Sequence, residues 1–263
     1  MNEEMTSERN ADYIQSIERG LAVICSFSHQ SATSTLTEVA RRTGLSKPTV
    51  RRILLTLKKL GYAREGESGF SLTPKMLELG YAYLSSQSLT QIAQSRLEQL
   101  TDLLNESTAL VALDGNDVIY LSRVHRHRIT SITLAVGTRL PAYATASGHV
   151  LLAGQSVAAL ERYLSTVAFK ALTDRTLTTR QALEQRIEVV RHRGWDAVDQ
   201  ELEMGRRSIA VPIRDMHGEI TAALSLSCGT NARSFEEMCD LCLPHLLGAA
   251  AQISNSMGYR QKQ

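Results

Sequence analysis

The sequence predicts an α+β protein in two parts: a small helical N-terminal unit closed by a hairpin, then a helix leading into a larger unit of paired strands and helices. Three observations predict it. Residues 14 to 60 carry apolar side chains at helical spacing with capping residues between the runs. Residues 62 to 74 shorten into two extended pieces around a glycine-bounded turn. From residue 105 onward, strand pairs joined by tight turns alternate with helical stretches. A chain of 263 residues that is 43% hydrophobic suits one small and one medium domain with real cores. Five prolines, sixteen glycines and no low-complexity run argue against extensive disorder.

Residues 1 to 13 begin "MNEEMTSERN", polar and acidic, unlike a signal peptide. They read as a flexible tail on a cytoplasmic chain. In "IQSIERGLAVICSFS", Ile14, Ile17, Leu21 and Ile24 share one helical face. "TLTEVARRTGL" opens with Thr35, has Glu38 three residues later as a capping box, and ends at Gly44. Ser46 caps a third helix with Pro48 in its first turn. Val50, Ile53, Leu54, Leu57 and Leu60 form its apolar stripe, and Gly61 ends it. "YAREGESGFSLTP" reads as a hairpin around Gly66 to Gly69. Helix, helix, tight turn, helix, hairpin is the order of a winged helix-turn-helix, here over residues 14 to 75.

Residues 76 to 104 read as a linker helix and a candidate dimer contact, with Leu89, Ile92, Leu97, Leu100 and Leu104 on one face. Over residues 105 to 258, "STALVAL" and "DVIYLSRV" flank "DGN" as a hairpin, and "RRSIAVPIRD" and "EITAALSLS" flank "MHG" as a second. "ITSITLAV" reads as another strand. "TASGHVLLAG" and residues 179 to 193 read as helices, and Ser234 with Glu237 boxes the start of a last one. Such hairpins with intervening helices imply an antiparallel sheet.

Charge supplies the first functional pointer. From Arg41 to Lys59 there are seven basic residues and no acidic one, although the whole chain is nearly balanced at 29 basic to 27 acidic. A polybasic coat for nucleic acid is excluded; a local DNA contact is not. In a helix-turn-helix the second helix of the pair enters the major groove. That leaves Lys47, Thr49, Arg51 and Arg52 on the groove side, and the amides at the Ser46 end favour phosphate. Thr35 at the start of the preceding helix and Arg64 on the hairpin complete the DNA-facing set. Lys58 and Lys59 would meet phosphate or solvent. The implied partner is a double-stranded DNA operator, bound by a homodimer or tetramer because one module buries little DNA.

Other chemistry is less favoured. Cys25, Cys228, Cys239 and Cys242 form no disulfide framework. Cys239, Cys242 and His245 lack the second ligand pair of a zinc site, so neither metal nor cofactor is expected. Ser147, His149 and Asp199 carry no nucleophile elbow, so no enzyme is expected. No apolar run is long enough to span a membrane. "HRHR" at 125 to 128 reads as a solvated strand end or an anion-steering patch, and Trp195 as a core residue. An enzyme with an accessory DNA module, and a sensor acting through a protein partner, remain the rival readings.

"SIERGLAVICSF", "LTEVARRTGLSKPTVRRILLTLKKLGY", "GTRLPAYATASGHVLLA" and "GWDAVDQELEMGRRSIAVPI" together resemble the IclR family of bacterial transcriptional regulators over residues 14 to 258. Within it, "LELGYAYLSS" and "AVGTRLPAYATASGHVLLA" are most similar to the PcaR, PcaU and PobR group. The resemblance implies that residues 105 to 258 fold as a GAF/profilin-like domain binding a small carboxylic acid of protocatechuate, 4-hydroxybenzoate or β-ketoadipate catabolism. It implies contacts from Ala146, Ser147, Asp199, Ser208, Ser225 and Ser227. The acid that the family carries just before Asp199 is Val198 here. The residues add that Thr145 and Ser147 lie at a helix start suited to a carboxylate, and that Ser225 and Ser227 point to one sheet face. Ile129 and Leu140 would form the apolar wall. No basic residue is expected inside, so the acid would be held by neutral donors with modest affinity.

Overall fold

The computed structural model of the chain describes residues 13–27, 32–79, 88–126 and 135–260. It divides into two compact units, residues 1–85 and 86–263. The first contains α1 (Gln15–Cys25), β1 (Thr33–Ser34), α2 (Leu36–Thr43), α3 (Lys47–Lys59), β2 (Ala63–Gly66) and β3 (Gly69–Leu72). The capping box forms: Glu38 N donates to Thr35 Oγ1 at 3.3 Å, and Thr35 N donates to Glu38 Oε2 at 2.7 Å. Gly44, at φ +69°, ends α2, and Ser46 Oγ accepts from Thr49 N to start α3. Val23, Val39, Val50, Leu54, Leu57, Ala63 and Phe70 make the core.

So small a core reaches only part of the apolar stripes. Ile14, Ile17 and Leu21, expected inside, are 53–61% exposed because α1 meets the core through Val23 and Ile24 near its C-terminal end. Leu60 is exposed as well, beyond the last covered turn at Leu57. The hairpin gains an unforeseen third strand, giving the order β1-β3-β2 with Ser34 opposite Phe70. Gly69 makes this possible: at φ +128°, a Cβ there would sit 2.5 Å from Ser34 O.

In the second unit α4 (Ser88–Leu104) precedes β4 (Ser107–Asp114), β5 (Asp117–Val124), β6 (Arg139–Pro141), α5 (Ala146–Ala153), α6 (Val157–Thr166) and α7 (Arg180–Arg193). β7 (Asp196–Asp199), β8 (Arg206–Arg214), β9 (Ile220–Gly229) and α8 (Phe235–Ser256) follow. The strands form one antiparallel sheet in the order β6-β5-β4-β9-β8-β7. Both hairpins form where expected, with Gly115 and Gly218 at positive φ. Of "ITSITLAV", residues 129 to 134 lie outside the described residues, as do 1 to 12, 80 to 87 and "HR" at 127 and 128.

Alternation divides the sheet into two faces. Leu110, Ile209, Val211, Ile213, Leu224 and Leu226 pack on the back against α4 and α8. Here α4 departs from the expected linker: Leu89, Ala93, Leu97, Leu100 and Leu104 are buried in this core. Its apolar stripe needs a covering surface, and the sheet supplies it. The front face carries smaller residues, Ala109, Ala210, Ala223 and Ser225, which let α5 approach while α7 packs on α5. Trp195 is only half-buried, with the Arg193 guanidinium 4.1 Å over its ring.

Candidate functional site

On the first unit, α3 presents Lys47, Arg51 and Arg52 to solvent, with Ser46 exposed and Thr49 half-buried beside them. Among the described residues these three cations carry no ion pair. Lys58 does, 2.7 Å from Glu65 on the wing, so it is not free for phosphate. Arg42 donates to Ser34 Oγ. Arg64 is exposed on the wing, where its Nε donates to Ser71 Oγ at 3.0 Å. Thr35 is exposed too, but its hydroxyl is committed to Glu38 at 2.9 Å.

On the second unit the sheet's front face and the start of α5 enclose a cavity of about 290 Å³. Its floor is a row of hydroxyls in register across three strands: Ser107 on β4, Ser227 on β9 and Ser208 on β8. Ser225 lines it one pair further along β9, and Leu140 supplies apolar wall. Thr145 and Ser147 enter from the helix side, where Thr145 Oγ1 accepts from Gly148 N at 3.0 Å. Gly148 is required there, because a Cβ would lie 2.0 Å from Ala142 O. The first-turn amides of Ala146 and Ser147 precede the first intrahelical bond, from His149 N to Thr145 O.

Two arginines line this cavity where neutral donors were expected. Among the described residues Arg123 Nε and Nη1 are buried without a hydrogen-bond partner, and its guanidinium lies 5.4 Å over the Tyr120 ring. Burial pushes the Arg123 guanidinium below its ordinary pKa and the Tyr120 hydroxyl above its own. Arg206 pairs with Glu203 at 3.5 Å, and both also line the cavity. Simple alternation from Tyr120 would send Ser122 inward. The ladder instead shifts register, pairing Val111 with Tyr120 but Leu110 with Ser122, so Leu121 is the extra residue. Ser122 turns to the back, donating to Gln94 of α4 at 2.6 Å, and Arg123 takes the front. The available signal was an unpaired charge inside the apolar strand "VIYLSRV".

Two expected effector contacts do not line the cavity, and a third falls outside the described residues. Asp199 lies outside the cavity lining, held by Arg175 and by Arg207 Nε at 2.7 Å. Alternation along β7 puts Val198 in the lining instead. Burial would raise the Asp199 carboxyl, but the hydrogen bond and charge of Arg207 outweigh it and hold it low. Ala146 is fully buried in the front core and does not line the cavity. Ile129 lies outside the described residues.

Beneath α5, His149 and Asp196 are both fully buried. His149 Nδ1 is 2.6 Å from Asp196 Oδ2 and Nε2 is 2.8 Å from Tyr143 O. Arg186 and Arg193 also reach Asp196. Burial alone would raise the Asp196 carboxyl; the His149 hydrogen bond and the cations around it hold it low. His149 is thus committed to Asp196, and no triad with Ser147 and Asp199 forms. Cys242 is buried while His245 is exposed three residues on, and no metal-binding cluster occurs among the described residues.

Comparison with known proteins adds two family matches: the IclR helix-turn-helix domain over residues 16–67, and the bacterial transcriptional regulator IclR C-terminal family over residues 81–255. The chain is 42% identical to the Pca regulon regulatory protein of Pseudomonas putida, covering 94% of this chain and 85% of that one. It is 33% identical to the p-hydroxybenzoate hydroxylase transcriptional activator of Acinetobacter baylyi, covering 94% and 93%. Among solved structures, a chain from Rhodococcus sp. RHA1 is 45% identical with a TM-score of 0.85, covering 93% and 98%. An IclR homologue from Microbacterium hydrocarbonoxydans, solved with 4-hydroxybenzoate, is 26% identical with a TM-score of 0.81, covering 92% and 98%.

Proposed function

The chain belongs to the IclR family of transcriptional regulators, and from that premise we propose that a small carboxylic acid bound in the cavity controls its grip on operator DNA. The observation that carries the reading is Arg123, whose buried Nε and Nη1 have no partner among the described residues. A carboxylate accepting both would satisfy two donors with one planar group. The hydroxyls of Ser147, Ser208, Ser225 and Ser227 would orient the rest of the molecule. Relatives named for the pca regulon and for p-hydroxybenzoate hydroxylase, and a homologue solved with 4-hydroxybenzoate, support an acid from aromatic catabolism. Protocatechuate, 4-hydroxybenzoate and β-ketoadipate are the candidates.

Lys47, Arg51 and Arg52 are the proposed groove-side contacts, with Ser46, Thr49 and Arg64 beside them. The exposure of the three cations, and the lack of any ion pair to them among the described residues, support this. A homodimer or tetramer in the cytoplasm fits a partner read as paired half-sites. Calorimetric titration of the three acids against the wild-type protein, with salt-dependent operator binding in their presence and absence, tests the reading. Absence of binding by every acid would refute the effector class.

A further inference from the structure

We propose, on the premise that Arg123 holds the acid's carboxylate, that Glu203 sets which acids the cavity accepts. It takes a hydroxyl at the ligand's other end and turns away a second carboxylate. The effector class narrows accordingly to a small acid with one carboxylate and an opposing hydroxyl.

The sheet register places the charged groups. Arg123 on β5 stands opposite Ala109 on β4, Ala109 opposite Ser225 on β9, and Ser225 opposite Ala210 on β8. Arg206 lies on the same face of β8, beyond Ser208 from Ala210. At the backbone the two arginines are therefore about 14 Å apart across the strands and about 13 Å along them, at diagonal corners of the floor. Glu203, just before β8, pairs with Arg206 at 3.5 Å. All three side chains line the same cavity of about 290 Å³, so Arg123 and Glu203 face its interior from opposite corners. After burial, the Arg206 charge helps to hold the Arg123 guanidinium below its ordinary pKa, so these long side chains lean close across the space. One small ring fits between them.

Charge and hydrogen-bond chemistry then decide selectivity. Among the described residues, Arg123, Arg206 and Glu203 are the charged groups of the lining, an excess of one positive charge. A single ligand carboxylate on Arg123 balances it. A second would lie beside Glu203 with no cation left for it, in a space where water screens little. The serine hydroxyls of the floor do not discriminate, because a hydroxyl donates or accepts as required. A carboxylate only accepts, so Glu203 favours a ligand with a donor. Apart from Arg206, its half-buried carboxylate has no partner among the described residues and has capacity for one.

Benzoate, 4-hydroxybenzoate and terephthalate differ only at the position opposite the first carboxylate. Calorimetric titration of the three into the full chain tests the role of Glu203. With the wild type, 4-hydroxybenzoate should bind about tenfold tighter than benzoate, the worth of one charge-assisted hydrogen bond, and terephthalate about tenfold weaker than benzoate. Glu203→Ala should bring 4-hydroxybenzoate level with benzoate. Glu203→Gln keeps the side chain's shape without its charge, and should relieve the penalty on terephthalate by about tenfold. Ratios taken within one variant cancel any general change in the cavity, and melting curves check that each variant is folded. Wild-type ratios in either variant would overturn the assignment while leaving the carboxylate site on Arg123 intact. So would a wild type that prefers terephthalate to 4-hydroxybenzoate, which would give the far corner to Arg206. Failure of all three acids to bind the wild type would instead refute the underlying reading of the cavity, and this role with it.

Discussion

Replacing Arg123 with methionine should remove carboxylate binding without weakening the unliganded fold. The two buried nitrogens, Nε and Nη1, line the cavity with no partner among the described residues. A carboxylate bound to both makes two charge-assisted hydrogen bonds at roughly 1.5–3 kcal/mol each. The ligand must shed its own hydration to enter, and the arginine is only partly buried, so about half of that sum should survive. A net loss of about 3 kcal/mol is roughly a hundredfold in affinity. The effect on the free protein has the opposite sense. Burial disfavours the charged guanidinium, as its lowered pKa shows, and methionine removes that charge. The cation–π attraction to Tyr120, worth about 0.5–1 kcal/mol, disappears with it. The unliganded melting temperature should stay level or rise slightly. Calorimetric titration with 4-hydroxybenzoate and a melting curve measure the two quantities. An affinity within threefold of wild type would remove Arg123 from the site. A variant that binds no acid because it melts far lower would show that the arginine is structural.

The other expectations are smaller or lie elsewhere. Ser225→Ala and Ser147→Ala should each weaken acid binding about tenfold, a neutral hydrogen bond apiece, and equal titrations for mutant and parent would take these hydroxyls out of the cavity's chemistry. Arg51→Ala with Arg52→Ala should flatten the salt dependence of operator affinity by about 0.9 for each phosphate no longer neutralised, with the second unit's melting transition unchanged. Asp196→Ala should cost about 3–5 kcal/mol at neutral pH, since it strands His149 and two arginines; a chemical denaturation midpoint near wild type would contradict it. Because the Asp196 carboxyl is held below its ordinary 3.8, its contribution is full above that pH and fades as pH falls through the lower folded value. The acid limb of the stability curve should therefore be shallower in the variant. Elemental analysis should find no stoichiometric zinc, as Cys242 is buried and His245 exposed; one metal per chain would overturn that.

Features that a few neighbouring residues decide were legible in the chain alone. The Thr35–Glu38 and Ser234–Glu237 boxes, the Ser46 cap and the glycines of both hairpins act over two to four positions, and each forms where its residues stand. Strand alternation likewise sent Ser208, Ser225 and Ser227 to one face of the sheet. Packing settled everything that depends on which distant surface is present. The apolar stripe of α1 is largely exposed because the small core ends before it, whereas that of α4 is buried because the sheet lies beneath it. Asp199 left the cavity for Arg175 and Arg207, and His149 found Asp196 47 positions away. Most consequential is the single extra residue at Leu121, which turns Ser122 away from the cavity and Arg123 into it. A bulge depends on how two strands share their hydrogen bonds, so it is a property of the pair and is written in neither strand alone.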